Sequence, residues 1–427
     1  MIVEEKEPVS LFASFLFPRI FQTFRMAIQP TKLILAFLGV AAICLAGHVM
    51  DINQTVVVKL ASDGRQTTEL DEFVDPHGAI NDHIQLFGSS GARAGVFGTL
   101  WRFQSTQFHG ILYSLLKYEV DAVGQHIDLY FQAWLWAFLY HPLYTMIFFS
   151  IALMVGSLVG GAICRIAALQ FAQGEKPGLS EALRFSIRKF YSFLTAPVTP
   201  VGIMVVTGVF VVVLGLVGNI PYVGELSVGL FFPLALLSAA LTAVIVIGAV
   251  AGLNLMFPTI AYEDSDGFDA ISRSFSYVYA KPWHMGFYTS LAVTYGAICY
   301  IFIRSFAFLV LRITHMFLRI GFLGDDRKLV AIWPEPHFAE LFGTVAASPE
   351  NWSTALCAFL IRIWVLVVVG LVVSFVISFY FSANTIIYAL MRHRVDKTAL
   401  EEVYTVAGEF ATGPAPTAED KTEEEAK

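Results

Sequence analysis

The chain alternates between long apolar runs and short amphipathic segments. About twenty consecutive apolar residues are enough for a helix to cross the hydrocarbon core of a bilayer. Runs of that kind place a first span at 33–50, spans two to five within 143–311 and a sixth span at 354–390. The pattern therefore predicts an all-α integral membrane protein with about six transmembrane helices.

One amphipathic segment, residues 258–283, separates the fourth and fifth apolar runs. Ser265 or Asp266 is suited to cap the start of a helix in this segment. The apolar positions recur at steps of four and three, which places three of them on one helical face: Ile271, Phe275 and Val278. Pro282 is expected to end the helix. We interpret the segment as an elbow helix that lies flat on the bilayer between two spans.

The sequence contains a repeat, which appears when the segments before the other spans are compared with residues 258–283. An aromatic amphipathic segment ending at a proline precedes three spans, at Pro30, Pro197 and Pro282. Each returning helix carries two small residues four positions apart, which lets helix backbones approach closely in lipid. These pairs are Gly156 and Gly160, Gly248 and Gly252, and Gly370 and Ser374. We interpret the chain as three elbow-helix/hairpin units, with helix packing at the small residues.

The polar segments divide between the two sides of the membrane. Residues 51–142 open polar and become amphipathic, so we predict an α-rich extracytoplasmic insertion, and 312–353 form a second, amphipathic connection on the same side. The amphipathic segment 1–32, the elbows and the tail 391–427 then share the opposite side. That side carries 15 Lys and Arg residues against nine. Because cytoplasmic loops are enriched in Lys and Arg, both termini are expected in the cytoplasm.

Composition agrees with a membrane location and excludes some functions. Apolar residues make up 56% of the chain, charged residues 14%, and the mean hydropathy is +0.67. The net charge of −7 is mostly local, since residues 396–427 hold nine acidic residues and three lysines, a composition typical of disordered, solvated tails. No basic patch indicates nucleic-acid binding. The four cysteines all lie in apolar segments and are expected to be small core side chains.

Two sets of residues resemble known families. The first set is Pro258, Ile260, Glu263, Gly267, Ala270, Ile271, Arg273 and Ser274, followed by Trp283. It resembles the membrane domain attached to some bacterial glycerophosphodiester phosphodiesterases and related multi-pass domains of unknown function. The resemblance covers about residues 140–300, and it implies a fold without any catalytic residue, because no phosphodiesterase domain is evident.

The second set lies outside that region. It consists of two segments, Gln107-Phe108-His109-Gly110 and Thr385-Ile386-Ile387-Tyr388, the latter followed by Met391, Arg392 and Asp396. Both segments look like parts of uncharacterised planctomycete membrane proteins. Together the two resemblances imply a multi-pass protein of a bacterial cytoplasmic (inner) membrane.

Candidate chemistry is sparse. Several carboxylate and imidazole side chains in the insertion lie close together in the sequence, and such groups can bind a metal ion. They are Asp71, Glu72, Asp75, His77, Asp82 and His83. Their spacing is not diagnostic, and a solvated loop explains them better. Glu119, Asp121, His126 and Asp128 fit a solvated helix face in the same way. No nucleophile, phosphate-binding or metalloprotease signature occurs. We therefore predict no catalytic site, no cofactor and no metal site.

Basic residues give the clearest candidate contacts. Arg304, Arg312, His315 and Arg319 fall on one stripe of a helix whose opposite face is apolar. The stripe fits either an interfacial helix on lipid headgroups or a site for an anion or lipid phosphate. Arg273, on the elbow helix, is expected to contact a lipid phosphate or a partner's carboxylate.

These features predict a function without enzymatic activity. The leading hypothesis is a membrane scaffold or an accessory subunit of an inner-membrane assembly, with membrane lipids and proteins as partners at the cytoplasmic elbows and tail. The alternative is a transporter-like or lipid-handling protein. That alternative needs a polar path between the hairpins, for which Gln170, Asn254 and Asn384 are the few candidates. Sparse intramembrane charge argues against an ion-coupled pump.

Overall fold

A computed structural model gives the fold of residues 16–60, 66–75, 78, 80–88, 92–322, 326–338, 340–341 and 351–405. Six of its helices are long and apolar enough to cross a membrane. They are α2 (Pro30–Met50), α7 (Pro142–Gln173), α9 (Phe190–Val217), α10 (Val223–Glu263), α12 (Pro282–Gly321) and α14 (Trp352–Asp396). The predicted all-α, multi-pass class fits this architecture.

Successive spans run in opposite directions, so their ends gather in two places. At one end, which we call the basal end, the start of α2 meets the last turn of α7 and the final third of α14: Lys32 Nζ donates to Gln170 Oε1 at 2.9 Å and lies 3.4 Å from Ser382 Oγ. The end of α10 joins them there, because the Tyr388 hydroxyl donates to Glu263 Oε1 at 2.6 Å. The opposite end is called the outer end.

Short helices surround the basal end. They are a 3-10 turn (Phe17–Phe21), α1 (Gln22–Ala27), α8 (Leu179–Arg188) and α11 (Gly267–Ala280). Asp266 caps α11 by accepting the Asp269 amide at 2.7 Å, which confirms the predicted cap. Pro30 and Pro282 each lie in the first turn of the span that follows, where a proline costs no hydrogen bond.

The predicted end of the second elbow segment differs from the structure. The sequence ended an amphipathic segment at Pro197, whereas α9 already begins at Phe190 and continues through Pro197 and Pro200. Each of these prolines removes one backbone hydrogen bond from the helix interior, and burial of Phe193, Ala196 and Pro200 maintains the helix across them. The remaining spans are also longer than their apolar runs, because polar turns extend them beyond the hydrophobic stretch.

The basal end contains the most continuously buried stretches of the long helices. Every residue is buried in 160–169 of α7 and in 382–391 of α14. Tyr262, Tyr277 and Tyr388 lie in one core cluster there, with Val403 from beyond the end of α14. This core fixes the positions of the polar groups described below.

The outer end carries a small mixed layer. It includes α3 (Glu69–Val74), α4 (Ile80–Phe87), the hairpin of α5 (Val96–Leu116) and α6 (Val120–Tyr140), and α13 (Asp326–Ile332). Three short strands, β1 (Val56–Leu60), β2 (Gln66–Thr68) and β3 (Arg93–Ala94), form an antiparallel sheet in the order β2-β1-β3. Val58 pairs with Thr68, and Val56 pairs with Ala94. The sequence prediction of an α-rich insertion missed this sheet, although the β-branched run 55–58 favours a strand.

The outer halves of α9 and α10 project from the rest of the bundle. Of the most apolar stretch of α9, only 6% is buried. The two helices contact each other through Thr207 and Thr242, whose hydroxyls are 2.7 Å apart, and through Ser238, which donates to the Thr207 carbonyl at 2.9 Å. We call this part of the molecule, residues 201–250, the outer hairpin.

Candidate functional site

The first candidate site is a network of charged and tyrosine side chains at the basal end, built around Glu263. Arg273 of α11 contacts Glu263 Oε2 at 2.5 Å, and Arg392 of α14 contacts Glu263 Oε1 at 3.0 Å. The Tyr388 hydroxyl donates to the same carboxylate. Glu263 is the last residue of α10, and Asp264, with φ 53°, ends the helix in the left-handed region. The carboxylate thus joins α10, α11 and α14.

Tyr277 extends this network to the last residue of α14. Its hydroxyl donates to Asp396 Oδ2 at 2.5 Å. Burial, followed by the hydrogen bond to the Asp396 carboxylate, raises the pKa of Tyr277, so the phenol stays protonated. We call Glu263, Arg273, Tyr277, Tyr388, Arg392 and Asp396 the basal network. The two carboxylates of the basal network contact arginine or tyrosine side chains of other helices. The network can therefore hold these helices together.

The segment after α14 folds back onto this network. Arg392 Nη1 donates to the Glu402 carbonyl at 2.7 Å, and the Tyr404 amide donates to the Tyr262 carbonyl at 2.8 Å. Arg165, which is 2% exposed, donates to the carbonyls of Ala261 and Tyr404, both at 2.9 Å. Residues 397–404 therefore close the basal end, while the rest of the predicted acidic tail lies outside the described residues.

A second polar network lies at the outer end, where α5 meets α12. Arg304 Nη1 lies 2.7 Å from His109 Nε2 and donates to the Tyr300 hydroxyl at 3.0 Å, and its other nitrogens donate to the Phe338 carbonyl at 3.2 and 2.8 Å. Since arginine can only donate, His109 Nε2 must accept. Burial, with the nearby guanidinium as the second cause, lowers the pKa of His109 below 6.5.

All four residues of the segment 107–110 take part in this outer contact. Gln107 Oε1 lies 2.8 Å from His126 Nδ1 of α6. A Cβ at position 110 would lie 2.4 Å from the His126 ring, so Gly110 is needed for the ring to fit. Phe108 packs edge-on against Tyr300 at 5.5 Å. Phe108 and His109 of this segment thus contact α12 at the outer end, whereas Tyr388, Arg392 and Asp396 of the other segment lie in the basal network.

The structure separates the residues of the predicted basic stripe. Arg304 and His315 face inward, and the His315 ring lies 5.3 Å from the Trp333 ring. Arg312 is exposed and pairs with Glu335, while Arg319 is exposed in the last turn of α12. Chain segments beyond α12 pack over part of its predicted basic side.

The predicted small residues show how the helices pack. A Cβ at Gly160 would lie 2.4 Å from the Phe381 ring, at Gly248 2.9 Å from the Phe275 ring, and at Gly370 2.8 Å from the Phe37 ring. Gly252 also faces Phe275, at 3.4 Å, and Ser374 Oγ donates to the Gly370 carbonyl at 2.6 Å. At Gly156 a Cβ would meet nothing within 4 Å.

Phe275 was expected to sink into the acyl region, but it lies in the space beside Gly248 and Gly252. Its neighbours on the same helical face are buried in the protein, with Ile271 8% and Val278 5% exposed. The apolar face of α11 is thus a packing surface of the bundle. Arg273, predicted to reach a lipid or a partner, contacts Glu263 and, at 3.0 Å, Asp269 of its own chain.

Sequence reasoning missed Lys32, which is completely buried at the start of α2 and contacts two neutral side chains, Gln170 and Ser382. Its place two residues after Pro30, at the start of an apolar run, is the signal that could have found it. Asn254 accepts a hydrogen bond from the Tyr380 hydroxyl at 2.5 Å, and Asn384 is 5% exposed. Two of the polar-path candidates are therefore engaged in contacts within the bundle.

Metal binding has no support among the described residues, which contain no group of three or more His, Cys, Asp or Glu side chains placed to hold an ion. His77 lies outside them. In the insertion, the carboxylates serve structure instead: Asp71 forms a capping box with Thr68, and Glu72 lies 3.8 Å from His83. Glu69 Oε1 accepts the Val57 amide at 2.6 Å.

Fold and networks together define a multi-pass helical membrane protein whose two ends are held by polar contacts within the chain. No protein-family model, curated protein or solved structure matches the chain. The arguments that follow therefore depend on its own residues and geometry.

Proposed function

We propose that the protein is a membrane scaffold or an accessory subunit of an inner-membrane assembly, and that the outer hairpin is the surface that binds a partner's helix. The single observation that carries this proposal is the exposure of that hairpin. Val206 of α9 is 70% exposed and Val250 of α10 is 76% exposed, although both lie in strongly apolar spans. The rest of the bundle leaves these faces uncovered.

Small residues on the outer hairpin support a protein partner. A Cβ added at Gly202, Gly208, Gly215 or Gly229 would meet no atom within 4 Å. In lipid, association of helices depends on close van der Waals packing, which small residues permit. Elsewhere in the chain, similar glycines receive a phenylalanine ring from another helix. The open glycines of the hairpin offer the same space to a side chain of a partner.

Blue-native electrophoresis of mildly solubilised membranes tests this function. We expect the wild-type chain to migrate in a complex larger than the monomer, and Val206→Trp to release it by blocking close approach. Leu45→Trp is the matched control, because Leu45 of α2 is 68% exposed and lies on a different face. Migration of the wild type as a monomer, or an equal effect of both substitutions, would rule the scaffold out.

The proposal includes an orientation. The basal end, with its higher content of Lys and Arg, faces the cytoplasm, and the α5–α6 hairpin faces the opposite side. Single cysteines introduced at Lys176 and at Gln125, in a background lacking the four native cysteines, should respond oppositely to an impermeant thiol reagent in intact cells. Labelling at Lys176 alone would reverse the orientation.

A second candidate, a lipid-handling or transporter-like function, is favoured by Lys32. A buried amine whose contacts are neutral is costly in a span and marks a functional position by default. In proteoliposomes, wild-type protein should then speed the exchange of labelled lipid between leaflets, and Lys32→Met should abolish the gain. Wild-type vesicles that exchange lipid no faster than empty ones would exclude this candidate.

A further inference from the structure

An open cavity of about 300 Å³ lies at the basal end, between the N-terminal turn, the start of α12 and the last turn of α14. Its walls include four aromatic side chains, Phe17, Trp283, Phe287 and Tyr288. Leu16 and two basic side chains, His284 and Arg394, complete the lining. Ligand pockets in proteins start at about this volume.

The aromatic wall is a coherent apolar surface. The Phe17 and Phe287 rings meet edge-on with centroids 6.0 Å apart, and His284 lies 6.4 Å from Tyr288. Trp283 is 86% exposed and Phe287 is 53% exposed, so both rings are available to a ligand. Trp283 and Phe287 are one helical turn apart, which spaces them about 6 Å along the start of a span.

The basic side chains are available as well. Within the described part of the chain, neither His284 nor Arg394 has a carboxylate partner, and the cavity has no acidic residue in its lining. This distinguishes them from Arg273 and Arg392, which are paired in the basal network. Asp396 lies close in sequence to Arg394, but it accepts from Tyr277. The cavity therefore combines an apolar wall with an unneutralised positive edge.

The position of the cavity matches the headgroup region of a bilayer. Pro282 starts α12, and an exposed tryptophan directly after the start of a span is typical of the membrane interface. At 1.5 Å per residue, the 45 residues of α14 measure about 68 Å, so the last turn that carries Arg394 lies beyond a hydrocarbon core of about 30 Å. An acyl chain reaching Phe287 would leave its phosphate level with Arg394.

We propose that this cavity binds one anionic phospholipid, with the phosphate between His284 and Arg394 and an acyl chain against Phe17, Phe287 and Tyr288. Charge complementarity selects the anionic headgroup, and the aromatic wall requires a lipid rather than a soluble phosphate. This inference is independent of the scaffold function, because the outer hairpin lies at the other end of the bundle.

Native mass spectrometry of the full detergent-solubilised chain tests the site. Titration with phosphatidylglycerol and with phosphatidylcholine of the same acyl chains should show tighter binding of the anionic lipid. Because one basic residue near an anionic surface contributes about fivefold in affinity, Arg394→Gln should weaken phosphatidylglycerol binding by about that factor and leave phosphatidylcholine unchanged. Lys176→Gln is the control, since Lys176 is exposed at the basal end and lies away from the cavity.

Two further measurements separate the parts of the proposal. Phe287→Ala should weaken both lipids while leaving the detergent melting temperature unchanged, because the ring is half-exposed and contacts the cavity. Inorganic phosphate at millimolar concentration should not displace the bound lipid. Equal affinity for the two lipids, an equal loss in Lys176→Gln, or displacement by inorganic phosphate would each overturn the anionic-lipid site.

Discussion

Glycines packed against a neighbouring helix and glycines on the exposed face of the outer hairpin have opposite surroundings. Gly160, Gly248 and Gly370 each hold a phenylalanine ring from another helix of the same chain, closer than a Cβ would allow. Gly208 and Gly215, in an equally apolar helix, face open space. The same residue type therefore receives a ring from another helix at some positions and faces open space at others.

Polar residues follow the same division. At the basal end, the network around Glu263 ties α10 and α11 to α14, and residues 397–404 fold over it. The outer hairpin has only the hydroxyl contacts of Thr207, Ser238 and Thr242 between its two helices. The comparison teaches that the basal end is held by polar contacts among several helices, whereas few polar contacts join the two helices of the outer hairpin.

The largest effect should come from breaking the basal network. Glu263→Ala removes the buried carboxylate that Arg392 contacts at 3.0 Å, and leaves this 13% exposed side chain only the exposed Glu402 carboxylate at 3.6 Å. Removal of one partner of a buried pair costs about 3 kcal/mol or more. We expect a strongly lowered melting temperature in detergent. Glu402→Ala is the control, because its side chain is 64% exposed and a surface pair contributes about 1 kcal/mol at most. Similar losses in both variants would remove the network's special role.

Substitution of a glycine that packs against a ring should lower stability more than substitution of a glycine that faces open space. Gly248→Leu must displace Phe275, whose ring lies 2.9 Å from the position of the new Cβ, and overpacking of this kind costs about 1–3 kcal/mol. Gly208→Leu meets no atom within 4 Å and should leave the stability of the isolated protein unchanged. Thermal unfolding of both variants in detergent measures the difference, and an unchanged Gly248→Leu protein would contradict the packing shown here.

The cap of α11 should contribute less. Asp266→Ala removes the side chain that accepts the Asp269 amide, and loss of a helix N-cap costs about 1 kcal/mol. Asp266→Asn keeps an acceptor at the same place and should retain most of the stability. If both substitutions lower the melting temperature equally, the charge of Asp266 matters rather than its hydrogen bond.

The smallest expected effect is a pH dependence at the outer network. Because the pKa of folded His109 is lowered below 6.5, the unfolded chain binds more protons, and the contribution of His109 to stability is lost as pH falls below about 6.5. We expect the difference in melting temperature between wild type and His109→Gln to shrink between pH 7.5 and pH 5. A difference that stays constant across this range would show that His109 does not titrate with folding.

Apolar runs were enough to predict six spans, and the step pattern of Ile271, Phe275 and Val278 predicted the helix α11 and its cap. The environment of that helix could not be derived in the same way. A helical face of this kind fits lipid or protein equally well, and only the space beside Gly248 and Gly252 decides that Phe275 packs inward.

Contacts between residues far apart in the chain could not be predicted from the sequence for the same reason. Arg273 and Glu263 belong to one quoted motif, but Tyr388 and Arg392 lie more than a hundred residues further along the chain. Lys32 likewise meets Gln170 and Ser382 only because three distant helix ends converge. Periodicity identifies the face of a helix, and it contains no information on which distant helix that face will meet.

Photo-crosslinking in native membranes tests the central claim most directly. A photoreactive residue at Val206, on the outer hairpin, is compared with one at Leu45 on α2, since both positions are more than two-thirds exposed. The account predicts one discrete protein adduct at Val206, lost on adding Gly208→Leu, and lipid adducts alone at Leu45. Lipid adducts alone at both positions would contradict a partner-binding hairpin.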